Sequence, residues 1–443
     1  MINLANNWKK SARGVALLVL EDILDEKAYS NIALSRYLKS SDLSDKDKGL
    51  VTEIVYGTIA RKITLEWYLA HFVKDRDKLE NWVYYLLMMS LYQFLYLDKN
   101  PTYAVVNAAV EIAKNRGNKR GAEKFINALL RRITQEKLPD ISTIKRKNKR
   151  YSVSYSLPVW LVNKLIDYYG QGRAQAIMES LFVRNKASIR VVNSDMFNEI
   201  SEVTESQISE LSPVGLVKLS GNFAATNYFV NGDIAIQDES SQLVAPTMAI
   251  QGDEQILDAC SAPGGKTVHI ASYLTTGHIT ALDLYDHKLD LVTSNAERLH
   301  VGEKITVQKM DASQAHQNFG PNSFDKILVD APCSGIGLIR RKPDIKYNKD
   351  NQDLADLQRI QLQILDSVCQ TLRKDGIITY STCTLFDEEN IQVIQKFLET
   401  HPNFEQVNLS HAKTDIMKDG CISITPEQYQ TDGFFIGQVR RIL

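Results

Sequence analysis

Gln255-Ile-Leu-Asp-Ala-Cys-Ser-Ala-Pro-Gly-Gly-Lys266-Thr267 contains the turn on which the reading of the fold rests. Gln255–Ala259 reads as a strand. Two adjacent glycines follow at the point where a helix would begin, and they let the backbone approach a ligand closely. Downstream, candidate strands recur at His278–Leu282, Lys304–Gln308, Asp325–Val329 and Gly376–Ser381. Helical patterns lie between most of them, notably Leu354–Leu372. Strands alternating with helices imply a doubly wound parallel sheet. Such sheets bind ligands beyond the carboxyl ends of their strands, so the residues just past each strand are the candidates for function.

The first such turn has two readings. A phosphate-cradling loop needs glycine where this chain has Cys260, which weakens a nucleotide-hydrolysing interpretation of Gly-Gly-Lys-Thr. A nucleoside-cofactor turn needs an acid some 20 residues on to hold ribose hydroxyls. Asp283 stands 18 residues after Gly265, at the end of the next strand. Asp311 follows the third strand, where a carboxylate can accept from an adenine amino group. The fourth strand ends in Asp330-Ala-Pro-Cys333-Ser-Gly-Ile-Gly337 and the fifth in Tyr380-Ser-Thr-Cys383-Thr. Two thiols and a carboxylate are thus expected at one sheet edge beside an adenosine-type cofactor. A free cysteine is ordinarily a small buried hydrophobe, but two just past adjacent strands fit a covalent mechanism. A thiolate that adds to cytosine C6 makes C5 nucleophilic toward a methyl group, and a second acid–base group then assists release. A helix starting near Asp387, with Glu388 and Glu389 in its first turn, would act on the pKa of Cys383 in opposing senses.

Working outward, 443 residues suggest two to three domains. At 44% hydrophobic and 24% charged, the chain is neither disordered nor fibrous. Five cysteines with no Cys-x-x-Cys pair indicate neither a disulfide framework nor a zinc cluster, and fit a reducing, cytoplasmic compartment. The most apolar window, Trp82–Leu97, is interrupted by Ser90 and Gln93 and reads as a buried helix rather than a membrane span. Net charge is −1, yet residues 1–150 carry 27 Lys+Arg against 17 Asp+Glu, and 114–150 alone hold 13 basic and 3 acidic residues. That asymmetry suggests a polyanionic partner such as nucleic acid. Residues 1–138 read as all helix, from Val105, Val106, Ala109, Val110 and Ala113 and from Phe125, Ile126, Leu129, Leu130 and Ile133. Residues 139–235 read as a basic linker, Lys145–Arg150, followed by a small α+β domain. That domain has a helix from Pro158 to Gly170 and strands at Ala187–Val192 and Val214–Leu219. Residues 236–443 form the α/β domain.

The runs 258–267, 330–335 and 381–384 resemble the motifs of the NOL1/NOP2/Sun RNA cytosine-C5 methyltransferases. Gln237–Gln242 resembles that family's extra motif, and Asp432-Gly-Phe-Phe435 its last strand. Ala122–Arg132 resembles the NusB fold. The resemblance implies a multidomain chain: an all-α NusB-like N-terminal RNA-binding domain, a small α+β middle domain and a C-terminal Rossmann-like class I methyltransferase domain. It implies an S-adenosyl-L-methionine-dependent enzyme forming 5-methylcytidine in 16S rRNA, monomeric and with neither metal nor membrane partner. Methylation of another RNA and a non-catalytic rRNA-binding role are the alternatives. By position, Cys260, Ser261, Ala262, Pro263, Gly264, Gly265, Lys266, Asp283, Asp311 and Asp330 would line the cofactor site. Asp330 would also face the cytosine, Cys383 would be the nucleophile and Cys333 would assist release. Tyr347 stands where the family more often has Trp. Arg340, Arg341 and Lys342 are candidates for phosphate contacts near a base flipped out of its stack.

Overall fold

Residues 8–98, 100–116, 121–219 and 221–443 are described by the computed structural model. Contacts divide the chain into two units, the first running to Met178 and including Arg341–Asn348, the second holding the remainder. The first unit is helical: α1 Ala12–Leu24, α2 Ser30–Lys39, α3 Asp45–Ala60, α4 Lys62–Phe72, α5 Asn81–Tyr96, α6 Thr102–Arg116, α7 Ala122–Gln135, α8 Lys147–Ser154 and α9 Val159–Ser180. The apolar window is α5, buried continuously from Trp82 to Gln93. Its two polar interruptions are satisfied locally, Ser90 Oγ donating to Leu86 O at 2.7 Å and Gln93 Nε2 to Met89 O at 2.9 Å, so they sit in the core at little cost.

The middle stretch 139–235 does not hold together as one domain. It parts at 178/179, and most of Lys145–Arg150, read as a linker, is the first half of α8. The reason is packing. Val153, Leu157, Leu161 and Val162 are fully buried, and the start of α4 is bonded to this segment. Ile63 N donates to Ser156 Oγ at 2.9 Å and Thr64 Oγ1 to Val153 O at 2.5 Å. Gly170 ends a helix as expected: its non-helical φ 70° and ψ 162° divide α9 into two helical pieces. Within the basic stretch, Lys119 and Arg120 lie outside the described residues. Arg116 makes a two-bond ion pair with Glu21 and lies over the Trp8 and Trp82 rings. Part of the charge excess is therefore structural.

The segment Arg341–Asn348 holds two helix ends of this unit. Asp344, 3% exposed, accepts from Ser30 N and Ser30 Oγ at the start of α2. Lys346 Nζ donates to Ala60 O at 2.8 Å and Tyr347 Oη to Ile59 O at 2.9 Å, at the end of α3. An anion at a helix N-terminus and donors at a C-terminus both match the helix dipole. Burial, helped by Arg61 and Lys62, pushes the Lys346 ammonium well below the usual lysine range. The hydroxyl of Tyr347, where Trp was the family expectation, thus has its own acceptor. Arg340, expected at a phosphate, is buried, and Arg341 and Lys342 are half-buried.

The second unit begins with a small antiparallel sheet of β1 Ala187–Val191, β2 Gln207–Ile208, β3 Gly215–Lys218 and β4 Ile234–Ile236, in the order β2-β3-β1-β4. The main sheet follows with β5 Gln255–Asp258, β6 His278–Asp283, β7 Ile305–Lys309, β8 Phe324–Asp330, β9 Leu372–Thr382, β10 Phe404–Val407, β11 Met417–Lys418, β12 Cys421–Ile424 and β13 Phe434–Arg441. Its order is β11-β12-β13-β9-β8-β5-β6-β7, with β10 on β13. Strands β5 to β9 pair in parallel, while β13 runs antiparallel to β9. All five sequence-read strands of this sheet are present. The order reverses at β5, which has β6 on one side and β8 on the other, and this is where a doubly wound sheet opens its crevice. Cys369 and Cys421 are buried in the core. Among the described residues no helix is long and apolar enough to cross a membrane.

Replacing Asp344 removes the acceptor for two groups at the N-terminus of α2. Asp344→Ala is expected to lower unfolding free energy by about 2 kcal/mol, measured by urea denaturation. A loss under about 0.3 kcal/mol would refute the capping role.

Candidate active site

The sheet order sets the candidate residues in a row along its carboxyl edge. Asp311 follows β7 and Asp283 ends β6. The turn after Asp258 follows β5, Asp330 ends β8, and Cys383 follows β9. At about 4.8 Å per strand, the row spans on the order of 19 Å, enough for a nucleoside and a second base end to end.

The β5 turn is fixed by the strands beside it. Ala259 N donates to Leu328 O, and Ser261 N and Oγ both donate to Leu282 O at 2.8 and 2.9 Å. Asp258 is fully buried and accepts from Thr267 Oγ1 at 2.7 Å; burial pushes its carboxyl up to about 7. The two glycines differ in why they are there. Gly264 has φ +99°, and a Cβ would lie 2.9 Å from Val292 Cα, so the turn itself demands glycine. At Gly265 φ is ordinary and a Cβ would meet nothing within 4 Å. The protein has no internal need for glycine there, and the space a side chain would fill lies at the first turn of the helix Gly265–Ala271. Next along the edge, Asp283 Oδ1 accepts from Tyr285 N at 3.1 Å, and Asp311 Oδ1 from Ser313 N and Oγ at 2.9 and 2.7 Å. A bare backbone turn followed by carboxylates suits an adenosine-type group, which offers hydroxyl and amino donors. The residues present therefore fit S-adenosylmethionine.

Lys266 does not reach into an empty loop as a phosphate-binding lysine would. Its Nζ bonds Asp330 Oδ2 at 2.8 Å and lies 5.0 Å from the Phe434 ring centroid. Burial works to lower this ammonium, but Asp330 outweighs it and the net shift is upward. The other carboxylate oxygen, Asp330 Oδ1, accepts from Ser381 Oγ at 2.7 Å.

Past these groups Cys333 Sγ and Cys383 Sγ lie 3.2 Å apart, with both residues partly exposed. The hydrogen bond to Cys383, then burial, push the Cys333 thiol well above the usual range. The sequence reading named both thiols but not what brings them together. Gly337 N donates to Cys383 O at 3.0 Å, and Gly433 N donates to Gly337 O at 3.0 Å. A Cβ on Gly337 would lie 2.2 Å from Gly433 O and 2.8 Å from Cys383 O. A 3-10 helix spans Asp387–Glu389, with Glu388 and Glu389 in its first turn as expected, but the α-helix begins only at Ile391, and the Asp387 carboxylate accepts from Lys418. It is Glu389 that turns inward, and burial raises its carboxyl from the usual range. The Gln237–Gln242 motif forms a short turn of helix capped by Asp238, which also accepts from Thr431 Oγ1 just before β13.

A family model described as 16S rRNA methyltransferase RsmB/F matches residues 245–440, and a NusB family model matches 10–135. A Bacillus subtilis (strain 168) protein named probable ribosomal RNA small subunit methyltransferase B is 41% identical, over 98% of this chain and 99% of its own length. Among solved structures, PH0851 superposes with a TM-score of 0.83 at 24% identity, covering 97% of this chain and 99% of that one. A methyltransferase homolog protein from Pyrococcus horikoshii gives 0.56 at 25% identity, over 68% of this chain and 100% of its own.

The contrast between the glycines yields a test. Gly265→Ala should weaken S-adenosylmethionine binding about tenfold or more by calorimetry and leave the melting temperature unchanged. Gly264→Ala should lower unfolding free energy by at least about 1 kcal/mol. Equal behaviour of the two variants would contradict the assignment.

Proposed function

The chain belongs to the 16S rRNA methyltransferase RsmB/F family, and from that premise we propose that it methylates C5 of a cytidine in 16S rRNA through a covalent Cys383–C6 adduct. The observation that carries this reading is the 3.2 Å approach of two thiols beside the Lys266–Asp330 pair. Simple methyl transfer to an oxygen or amine needs no paired thiols, whereas C5 of cytosine is too poor a nucleophile to react unaided.

S-adenosylmethionine, held at the Cys260–Lys266 turn with Asp283, Asp311 and Asp330, supplies an electrophilic methyl group. The protein's residues prepare the base to receive it. Asp330 accepts from the N4 amino group of the cytosine, oriented by Lys266 on one oxygen and Ser381 on the other. The Cys383 thiolate bonds to C6, and the C5–C6 π pair becomes available at C5. The hydrogen bond to Cys383 is the first cause that raises the Cys333 thiol. Once Cys383 Sγ is bonded to carbon that hydrogen bond is lost, and Cys333 releases its proton to solvent. The Cys333 thiolate then takes the C5 proton, the C5–C6 double bond re-forms and Cys383 leaves as thiolate. One proton is released per methyl group transferred. The base must reach both sulfurs, so the target is unpaired or extruded from its stack. The basic residues of the helical unit serve the rRNA phosphates.

Unmodified 16S rRNA and labelled S-adenosylmethionine test the assignment. Cys383→Ser should lower methyl transfer at least about a thousandfold. Cys333→Ala should accumulate an RNA–protein adduct stable on denaturing gels. Retained activity in the first variant, or no adduct in the second, would refute the respective role.

A further inference from the structure

Neither cysteine holds its own place. All four residues flanking the two thiols are bound by side chains from elsewhere. Gln361 Nε2 donates to Pro332 O at 2.9 Å. Glu389 Oε1 accepts from Ser334 N at 2.7 Å, and Oε2 from Ser334 Oγ at 2.6 Å and Thr384 Oγ1 at 3.2 Å. Thr382 Oγ1 donates to Asn390 Oδ1, and Asn390 Nδ2 donates to Thr384 O at 3.4 Å. Gln361 Nε2 also reaches Glu389 Oε1 at 3.3 Å, closing the network. Gln361, Thr382 and Glu389 are fully buried, and Ser334, Thr384 and Asn390 are within 2% of it.

We propose that Glu389 is a positioning residue, whose carboxylate, with Asn390 beside it, ties the segment after Cys333 to the segment after Cys383 and so sets the separation of the two thiols. A buried carboxylate is a poor choice for stability alone, because desolvation opposes it and an apolar side chain of similar volume would pack as well. What it supplies is two fixed oxygens, Oε1 on the loop after Cys333 and Oε2 shared between that loop and the one after Cys383. Three of its four donors come from residues adjacent in sequence to Cys333 or Cys383. The fourth, Gln361, holds the other neighbour of Cys333.

The catalytic arm of the test rests on the function proposed above, so a second arm reads thiol separation directly. Phenylarsine oxide bridges two close thiols through one arsenic with loss of one water, and needs neither RNA nor methyl donor. The full chain is expected to bind one equivalent tightly, and Cys333→Ala or Cys383→Ser to abolish this. Glu389→Gln keeps the shape but faces the donors with an amide. It should weaken arsenical binding at least about tenfold and lower kcat by a similar factor, with KM for RNA and S-adenosylmethionine little changed. Ser334→Ala, which leaves Glu389 its other donors, should move both readouts the same way by less. It carries the test alone if Glu389→Gln does not fold. A folded variant with unaltered arsenical affinity and kcat overturns the proposal. Weakened arsenical binding in a protein whose wild type transfers no methyl group would sustain the positioning role and refute the function.

Discussion

Bringing two sulfur atoms to 3.2 Å is the constraint to which this end of the sheet is built. Adjacent parallel strands hold their ends about 4.8 Å apart and their loops then diverge unless something draws them together. The register pairs Asp330 with Ser381, and Ala331 N to Ser381 O, at 2.9 Å, carries the ladder one residue further. Beyond that point, glycines replace the ladder. Gly433 bonds Gly337, Gly337 bonds Cys383 O, and the space for a side chain at either glycine is already occupied, Leu385 Cδ2 lying 2.3 Å from a Cβ on Gly433. Strand β13, antiparallel and last in sequence, is thus also a support for the β8 and β9 loops.

What was legible in the sequence is what short-range pattern encodes. The strands from β5 to β9 announce themselves as apolar runs bounded by turn residues, and the chemistry-bearing residues fall just past them because a doubly wound sheet leaves nowhere else for a ligand. Contacts between distant positions were not legible. Gly337 and Gly433 are nearly a hundred residues apart, and nothing local marks either as the other's partner. Glu388 and Glu389 read as the first turn of a helix that acts on Cys383, yet a turn earlier in the chain and a non-helical Asn390 (φ −114°, ψ −110°) carry Glu389 inward. Arg340, Arg341 and Lys342 read as candidates for phosphate contacts, and the caps that Asp344, Lys346 and Tyr347 make on α2 and α3 depend on amides and carbonyls some 300 residues earlier. Composition likewise counted Arg116 as free charge, though Glu21 neutralises it.

The Lys266–Asp330 pair shows how similar motifs are told apart by what the side chain meets. In a phosphate loop the lysine faces an anion supplied by the ligand. Here the anion is part of the protein, and the pair is only partly exposed, at 14% and 29%. A lysine already neutralised has little attraction left for a phosphate. A carboxylate held on both oxygens cannot rotate away from a base edge. The same geometry that disfavours nucleotide hydrolysis therefore orients a hydrogen-bonding group for a heterocycle.

Thr379-Tyr-Ser-Thr-Cys-Thr384 carries the argument furthest. Five of these six residues are buried, in the central region of a sheet where an apolar run would ordinarily serve better. Every one ends in a hydroxyl or thiol, and every one is engaged. Thr379 accepts from Gln438 at 2.9 Å, Tyr380 donates to Glu389 O at 2.7 Å, and Ser381 donates to Asp330. Thr382 bonds Asn390, Cys383 meets Cys333, and Thr384 bonds both Glu389 and Ser334. A buried hydroxyl adds little net stability even when paired, on the order of 1 kcal/mol, and is costly when it is not. Five hydroxyls and a thiol in succession are therefore not explained by folding. Their partners, apart from Gln438, are the Asp330 carboxylate, the second thiol, and Glu389, Asn390 and Ser334 beside the two thiols.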